Sequence, residues 1–338
     1  MSEPNETDRT ALDLLLRGFQ VSRMLRLVAD LAIADRIAPD GVVAIGDLAA
    51  QCNVLRAPLL RILRALAAFD VFSISAEGLI GHTPRSRLLR SDAPGSLHHA
   101  ARFWTGPGAW RAWGELDATL GGDVPHHAAW GMGRFAYLRT HPEEARTFDA
   151  MMAAFPDDRH DAVAAAYDFS GARLICDVGG GDGAALRHIL GRFATPRGLV
   201  FDLEDVVKAI PAEALMDGRI TVAGGSFFDG VPAGADIYLA IRVIHNWSDN
   251  DAQRILRACR TVMQPNARLL LGEEILQSAA AEGHPAGYLI DTQMLVMFGE
   301  ARARTKAELA HLLAGSGFAL QRVVPTKATV SIIEAVPA

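Results

Sequence analysis

The sequence has few cysteines and no long apolar run, and both shortages narrow the class of protein. Its three cysteines, Cys52, Cys176 and Cys259, form no C-x-x-C pair, which argues against a disulfide framework and a thiolate zinc site. No apolar run reaches the about 18 residues that a membrane helix needs, and the polar start MSEPNETDRT is unlike a signal peptide. We therefore expect a soluble, cytoplasmic protein without a membrane partner.

Charge is also sparse. Charged residues make up 21% of the chain and its formal net charge is -6, so there is no bulk attraction to nucleic acid or anionic lipid. Half of the 338 residues are hydrophobic, enough for large cores, and domains of about 100–200 residues predict two of them. A small molecule is the expected partner, and no nucleic acid.

Residues 1–95 are predicted to form a helical, winged-helix-like domain. Apolar residues recur at helical spacing over residues 11–38, and residues 44–84 have the pattern of helix, turn, helix and two short strands around Glu77-Gly78. Winged helices often bind DNA. Here the leucines of RAPLLRILR have core-like spacing and the chain is acidic, which favours a structural or dimer-forming module.

Residues 96–166 are predicted to be a helical linker that contributes to a substrate pocket. This segment is rich in aromatic residues, which are followed by Met151 and Met152. Such side chains can line an apolar pocket or simply form ordinary core. The candidates for contact with a substrate are Trp104, Met151 and Met152. The pairs His98-His99 and His126-His127 lack partner ligands at a suitable spacing, and we predict no metal site.

Residues 167–338 alternate short β-type runs with helical segments, which predicts a mostly parallel α/β sheet. The last two runs, FALQRVVP and TVSIIEAVP, are joined by a short connection. They predict an antiparallel hairpin at the sheet edge.

The stretch CDVGGGDGAAL lies between a predicted strand and a helix. The spacing of Gly179, Gly181 and Ala184 satisfies a loose dinucleotide-binding pattern, and Asp202 ends the next strand, where an acid can bond ribose hydroxyls. By itself the pattern leaves NAD and S-adenosylmethionine both open. Asp177 would repel a pyrophosphate and attract a sulfonium and an amino group, which favours S-adenosylmethionine.

The motifs DVGGGDG, VFDLEDVV, HNWSDNDAQRILRACRTVMQP and LLLGEEIL occur in an order and at separations that resemble the caffeic-acid-type O-methyltransferases and their bacterial natural-product relatives. The resemblance covers nearly the whole chain. It implies a class I methyltransferase domain with a Rossmann-like sheet, S-adenosylmethionine as the methyl donor, and a homodimer built through the N-terminal domain.

The resemblance also implies site residues. The family's glycine loop falls on Gly179, Gly181 and Gly183, its ribose-binding acid on Asp202, and its adenine-flanking pair on Ser226 and Phe227, where serine replaces the usual aspartate. The predicted cofactor-binding residues are Asp177, Gly179, Gly181, Gly183, Asp202, Leu203, Ser226, Phe227 and Arg242.

The family's catalytic histidine falls on His245 and the first acid that supports it on Glu273. The second acid usually lies in a GGKERT or GGRERT stretch, but this chain has GEARART, which puts Ala303 in its place. The second acid is therefore unassigned, and Glu300 substitutes for it only if the loop shifts.

His245 suits base chemistry. A phenol has a pKa near 10 and is a poor nucleophile when protonated, so a histidine helps by taking its proton as the new bond forms. Both His245 and Glu273 follow predicted strands at the carboxyl edge of the sheet, where ligands bind, and the carboxylate can orient the imidazole. The alternative is a core or capping histidine.

We therefore predict an S-adenosylmethionine-dependent O-methyltransferase that acts on a hydroxyl of an aromatic small molecule in secondary metabolism. Asp291 and Met294 in DTQMLVMFG are further candidates for the acceptor pocket. The alternatives are N- or C-methylation within the same family, a ligand-binding regulator without catalysis, and an NAD-dependent oxidoreductase.

Overall fold

The computed structural model describes residues 5–154 and 158–338, which separate into two compact units. Within the described residues, the first unit comprises 5–121 and 125–154, and the second comprises 122–124 and 158–338. In the part of the chain that is described, no helix is long and apolar enough to cross a membrane. The division into 1–95, 96–166 and 167–338 stays a prediction.

The first unit is mainly helical. Its elements are α1 (Glu6–Leu16), α2 (Gly18–Asp30), β1 (Val42–Ala44), α3 (Ile45–Gln51), α4 (Arg56–Ala67), β2 (Phe72–Ile74), β3 (Leu79–His82), α5 (Pro84–Arg87), α6 (His98–Trp104), α7 (Pro107–Gly114), α8 (Pro125–Trp130), α9 (Arg134–Thr140) and α10 (Pro142–Ala154).

The predicted helix, turn, helix and hairpin are present as α3, α4, β2 and β3, with Gly78 at φ 80° in the turn between the strands. β1 joins them, so that the antiparallel order is β1-β3-β2. This strand was not predicted, because its three residues carry no periodicity. Leu48, Leu59 and Leu63 are buried between the helices and the small sheet, as expected for leucines at core-like spacing.

The second unit is a seven-stranded sheet with helices on both faces. Its elements are α11 (Arg159–Ala166), β4 (Leu174–Val178), α12 (Ala184–Arg192), β5 (Arg197–Asp202), α13 (Glu204–Lys208), β6 (Ile220–Gly224), β7 (Ile237–Ile241), α14 (Asp249–Val262), β8 (Arg268–Glu273), β9 (Ile275–Leu276), α15 (Pro285–Phe298), β10 (Arg304–Thr305), α16 (Lys306–Ala314), β11 (Phe318–Pro325) and β12 (Ser331–Pro337).

The sheet has the order β11-β12-β8-β7-β4-β5-β6. β8, β7, β4, β5 and β6 are parallel, and β12 is antiparallel to both β8 and β11. The predicted fold class is confirmed, including the antiparallel hairpin. β12 lies inside the sheet, however, and of the two hairpin strands β11 is the one at an edge.

Alternation along the strands separates the two cores of this sheet. In β4, Ile175 packs on the face covered by α11 and α12, whereas Cys176 and Val178 pack on the face covered by α14 and α16. Because the parallel strands are covered on both faces, their side chains are almost continuously apolar. Polar residues remain where the strands end, and those ends position the candidate site.

Candidate active site

The glycine loop after β4 adopts backbone conformations that require glycine. Gly179, Gly181 and Gly183 have φ values of 72°, 55° and 79°, in the left-handed region that other residues rarely adopt. A side chain at Gly179 would meet Val243 at 2.8 Å, whereas one at Gly181 would enter open space. Gly183 then caps the N-terminus of α12, whose free N–H groups face the loop. The loop leaves room for a ligand at Gly181.

Asp202, at the end of β5, fixes this loop. Its carboxylate accepts hydrogen bonds from the backbone N–H groups of Gly181 (2.9 Å) and Leu203 (2.7 Å). The acid and the glycine loop are therefore neighbours, as their positions after adjacent strands require. A role for Asp202 in ribose binding stays a prediction.

Asp177 lies beneath the loop with one oxygen unpaired. The residue is 2% exposed and its Oδ2 has no hydrogen-bond partner among the described residues. Burial, together with the smaller effect of the nearby carboxylates of Asp202 and Asp182, raises the pKa of Asp177 to about 7. A buried carboxyl oxygen of this kind needs a donor or a cation. The open space at Gly181 and this unpaired oxygen together fit the cationic sulfonium and amino groups of S-adenosylmethionine.

The other predicted cofactor residues occupy turns after neighbouring strands. Ser226 Oγ accepts a hydrogen bond from the backbone N–H of Phe228 (3.2 Å), so this hydroxyl stabilises its own turn. The ring of Phe227 packs edge-on against Phe228 and Trp247, with centroids 5.0 and 5.6 Å away. Arg242 has φ 54° at the end of β7, a backbone position that is uncommon for a residue other than glycine.

His245 and Glu273 meet at the carboxyl edge of the sheet. His245 lies in a short 3₁₀ turn after β7, and its Nδ1 is 2.8 Å from Oε2 of Glu273, the last residue of β8. Glu273 is 3% exposed, and its Oε1 accepts a hydrogen bond from the N–H of Ile244 at 2.8 Å. Both carboxylate oxygens are therefore used, and they fix the imidazole relative to its own backbone.

The ring of His245 lines a pocket together with Arg242, Glu273, Asp291, Met294 and Ala303. The structure thus brings Asp291 and Met294, both predicted for the acceptor, next to the histidine. Asp291 has a further task, because its Oδ1 accepts a hydrogen bond from the N–H of Ala303 at 2.7 Å. Sequence reasoning did not identify this contact.

The remaining acceptor candidates belong to the first unit. Met151 is 5% exposed and packs in an apolar cluster with Ala100, Phe103 and Phe148. Trp104 and Met152 are 42% and 44% exposed. Of these three side chains, only Met151 is part of a core.

Sequence reasoning also missed Arg304. The residue is 2% exposed, and its guanidinium donates to the carbonyl oxygens of Ile244 and Trp247 and to the carboxylate of Asp249. The sequence comparison of GEARART with the family's stretch considered only Ala303, where the second acid is absent. Ser248 caps α14, accepting a hydrogen bond from the N–H of Asp251 at 3.1 Å.

Comparison with known proteins decides the family. Residues 110–319 match the O-methyltransferase domain, and residues 14–92 match the O-methyltransferase dimerisation domain. The chain belongs to the O-methyltransferase family. This confirms the resemblance found in the sequence, and this O-methyltransferase uses S-adenosylmethionine as its methyl donor.

Several relatives match the O-methyltransferase over nearly its whole length. Phenazine O-methyltransferase of Lysobacter antibioticus is 37% identical over 100% of both chains. The 3-amino-4-hydroxybenzoate 4-O-methyltransferase of Streptomyces cremeus is 35% identical over 95% of this chain and 87% of its own. Among solved structures, a mitomycin 7-O-methyltransferase superposes with a TM-score of 0.84 at 29% identity, covering 98% of each chain.

No group of three or more histidine, cysteine, aspartate or glutamate side chains suited to a metal ion occurs among the residues that the structure describes.

Proposed function

We propose that the enzyme transfers the methyl group of S-adenosylmethionine to a hydroxyl oxygen of an aromatic small molecule, with His245 as the general base. The observation that carries this proposal is the 2.8 Å contact between Nδ1 of His245 and the buried carboxylate of Glu273. Among the hydrogen bonds of the described residues, the imidazole ring uses only this nitrogen. The other nitrogen belongs to a ring that lines the pocket.

S-adenosylmethionine supplies an activated methyl group on a positively charged sulfur. In the proposed reaction an O–CH₃ bond forms as the S–CH₃ bond breaks, and the products are a methyl ether and S-adenosylhomocysteine. His245 takes the hydroxyl proton, which makes the oxygen a better nucleophile. Glu273 holds the tautomer with the proton on Nδ1 and stabilises the imidazolium that forms.

The glycine loop and Asp177 provide the donor site in this proposal. Asp177 offers a buried, unpaired oxygen to a cationic group, and Asp202 with Leu203 follows the neighbouring strand, within reach of a ribose. Gly181 leaves open space that a side chain would fill. Ser226, Phe227 and Arg242 are assigned to the same site as a proposal from the family resemblance.

The proposed acceptor is an aromatic molecule of secondary metabolism. Relatives are named for phenazine, 3-amino-4-hydroxybenzoate and 2,7-dihydroxy-5-methyl-1-naphthoate. In this enzyme Asp291 and Met294 line the pocket at His245. A thioether next to a carboxylate suits a flat ring that carries a polar substituent. Trp104, Met151 and Met152 remain proposed acceptor residues of the first unit.

We also propose that the enzyme acts as a homodimer assembled through residues 1–95. Residues 14–92 match a dimerisation domain. Helix α1 has no buried residue in the single chain, and Leu15 and Leu16 are 76% and 70% exposed. Exposed apolar side chains at this density are typical of an interface.

N-methylation is the second candidate function. The 8-amino-8-demethylriboflavin N,N-dimethyltransferase of Streptomyces davaonensis is 32% identical over 98% of this chain and 97% of its own. An amine nucleophile needs a base less than a phenol does, because a neutral amine nitrogen is already a good nucleophile and a protonated phenol oxygen is not. Activity that survives the loss of His245 would favour this candidate.

Donor binding is tested first, by isothermal titration with S-adenosylhomocysteine. We expect saturable binding that Gly181→Val abolishes. Gly218→Val is the matched control, because Gly218 also has positive φ (79°) and also has open space around it. Binding lost in both variants, or kept in both, would contradict the assignment of the glycine loop.

The base is tested with a panel of hydroxylated phenazines, aminohydroxybenzoates and dihydroxynaphthoates, with products identified by mass spectrometry and NMR. We expect His245→Ala to lower kcat by about a hundredfold to ten-thousandfold, while the affinity for S-adenosylhomocysteine is unchanged. His311→Ala, on the exposed face of α16, is the control. Unimpaired O-methylation by His245→Ala would refute the proposal.

A further inference from the structure

A short segment, residues 302–305, runs alongside the loop of residues 244–249 that carries His245. The N–H of Arg302 donates to the carbonyl oxygen of His245 at 2.9 Å. Two residues later, β10 pairs in parallel with β9, which follows Glu273 in the chain. One segment is therefore bonded both to the histidine and to the strand that comes directly after its carboxylate.

Arg304 is the centre of this arrangement. Its Nη1 donates to the carbonyl oxygen of Ile244 at 3.1 Å, and its Nη2 donates to that of Trp247 at 2.9 Å. Its Nε donates to the carboxylate of Asp249 at 2.8 Å. One side chain thus holds the backbone before His245, the backbone after it, and the first residue of α14.

The chemistry of this contact requires arginine. A guanidinium is a planar fork with five donors, so it can satisfy two carbonyl groups and a carboxylate that lie in different directions. Asp249 supplies the negative charge that a buried cation needs. A lysine has one compact ammonium group, which cannot reach all three acceptors in the same plane.

Ala303, the residue before Arg304, makes the contact between Arg304 and the loop of residues 244–249 more important. Family members have a second supporting acid where this chain has Ala303, and the backbone N–H of Ala303 is held by Asp291. Among the described residues, one carboxylate contacts the imidazole of His245, that of Glu273. With one supporting acid, the direction of the ring depends on how firmly its backbone is fixed.

We propose that Arg304 is a positioning residue for methyl transfer, which holds the loop of residues 244–249 so that His245 stays in register with Glu273. This inference rests on the proposed role of His245 as the base. Arg304 is 2% exposed and is not among the residues that line the pocket at His245, so it acts through the loop. Its loss should therefore affect the rate of the chemical step far more than binding of the donor or the acceptor.

Arg304→Lys is the principal test. We expect kcat to fall by about tenfold to a hundredfold, because a displacement of the base by about 1 Å has an effect of this size. KM for the acceptor and the affinity for S-adenosylhomocysteine should stay within about twofold of the wild-type values. In Arg304→Ala, millimolar guanidinium chloride should restore part of the lost kcat, since the free ion can occupy the vacated position.

Arg260→Lys is the matched control. Arg260 also donates to two backbone carbonyl oxygens, those of Gly317 (3.0 Å) and Ala338 (3.4 Å), so the substitution removes the same kind of contact elsewhere in the unit. Its kcat should equal that of the wild type.

Two results would overturn the positioning role. One is a wild-type kcat in Arg304→Lys while His245→Ala is inactive. The other is a parallel loss of kcat, donor binding and thermal stability in Arg304→Lys without rescue in Arg304→Ala, which would show a merely structural residue. Full activity of His245→Ala would instead refute the proposed function itself.

Discussion

Each unit contains a glutamate at the centre of a hydrogen-bond network, half-buried Glu144 in the first unit and buried Glu273 in the second, and the two networks differ in their partners. In the first unit, Glu144 accepts from the N–H of Gly108 (2.8 Å) and from the hydroxyl of Tyr137 (3.0 Å), and it lies 3.4 Å from the guanidinium of Arg134. In the second unit, Glu273 accepts from Ile244 and contacts His245.

The difference lies in whether the partner can exchange a proton. Arg134 is 3% exposed, and a guanidinium keeps its charge at every pH of interest, so the pair with Glu144 holds helices together and does no proton chemistry. An imidazole gains and loses a proton near neutral pH. A carboxylate of this kind is thus structural beside an arginine and can serve a reaction beside a histidine.

The largest expected effect is a loss of kcat when a substitution breaks the network around Glu273. Glu273→Gln keeps an acceptor for the N–H of Ile244 but places a neutral amide against Nδ1 of His245, so the imidazolium loses its counter-charge. We expect kcat to fall by about a hundredfold to ten-thousandfold, measured with an accepted member of the acceptor panel.

Glu334→Gln is the control, since Glu334 is equally buried in the same sheet and contacts Arg268 and Arg322 at 2.6 Å. A similar loss of kcat in both variants would remove the distinction between the two kinds of partner.

The next largest effect is a loss of stability when a substitution breaks the network around Glu144. Glu144→Gln leaves the buried guanidinium of Arg134 without a counter-ion, and we expect the free energy of unfolding to fall by about 3 kcal/mol, measured by denaturant unfolding. Glu143→Gln, one residue earlier and exposed, should change it by less than about 0.5 kcal/mol. Equal stability of the two variants would show that Glu144 and Arg134 contribute no net stabilisation.

The smallest effect concerns Asp177. Among the described residues, neither an arginine nor a histidine pairs with this buried carboxyl group. Its pKa is raised from 3.8 to about 7 in the folded protein. Its contribution to stability is therefore complete below about pH 4 and is lost as the pH rises through about 7. Asp177→Asn does not titrate, so the variant's melting temperature minus the wild-type value should grow between about pH 5 and about pH 8, by several degrees.

The measurement is thermal unfolding without the donor. Asp217→Asn is the control, because Asp217 is exposed and its positive φ (52°) suits asparagine. A melting-temperature difference that shrinks as the pH rises would contradict the raised pKa of Asp177.

The parts of the site that depend on local backbone chemistry could be predicted from the sequence. A glycine loop between a strand and a helix fixes its own conformation, so Gly179 and Gly181 were identified from their spacing, and Gly183 was added from the family resemblance. His245 and Glu273 were assigned from the family resemblance, and their positions at the ends of predicted parallel strands placed them at one edge of the sheet.

The contacts of long side chains could not be predicted in the same way. Arg304 contacts Ile244 and Asp249, which lie 60 and 55 residues earlier in the chain. The sequence does not indicate which arginine will be buried. The same holds for Arg134, whose burial follows from the packing of α7, α9 and α10. β1 was missed for a different reason, since three residues become a strand only when β3 lies beside them.

The position of β12 in the sheet has a consequence for how the enzyme is made. The strand that ends in Glu273 has β7 on one side and β12 on the other, with Ser331 directly opposite Glu273. During synthesis on the ribosome, β8 can therefore form its hydrogen bonds to β12 only after β12 has been made. The carboxylate that contacts His245 gains this neighbouring strand only after residues 331–337 have been synthesised.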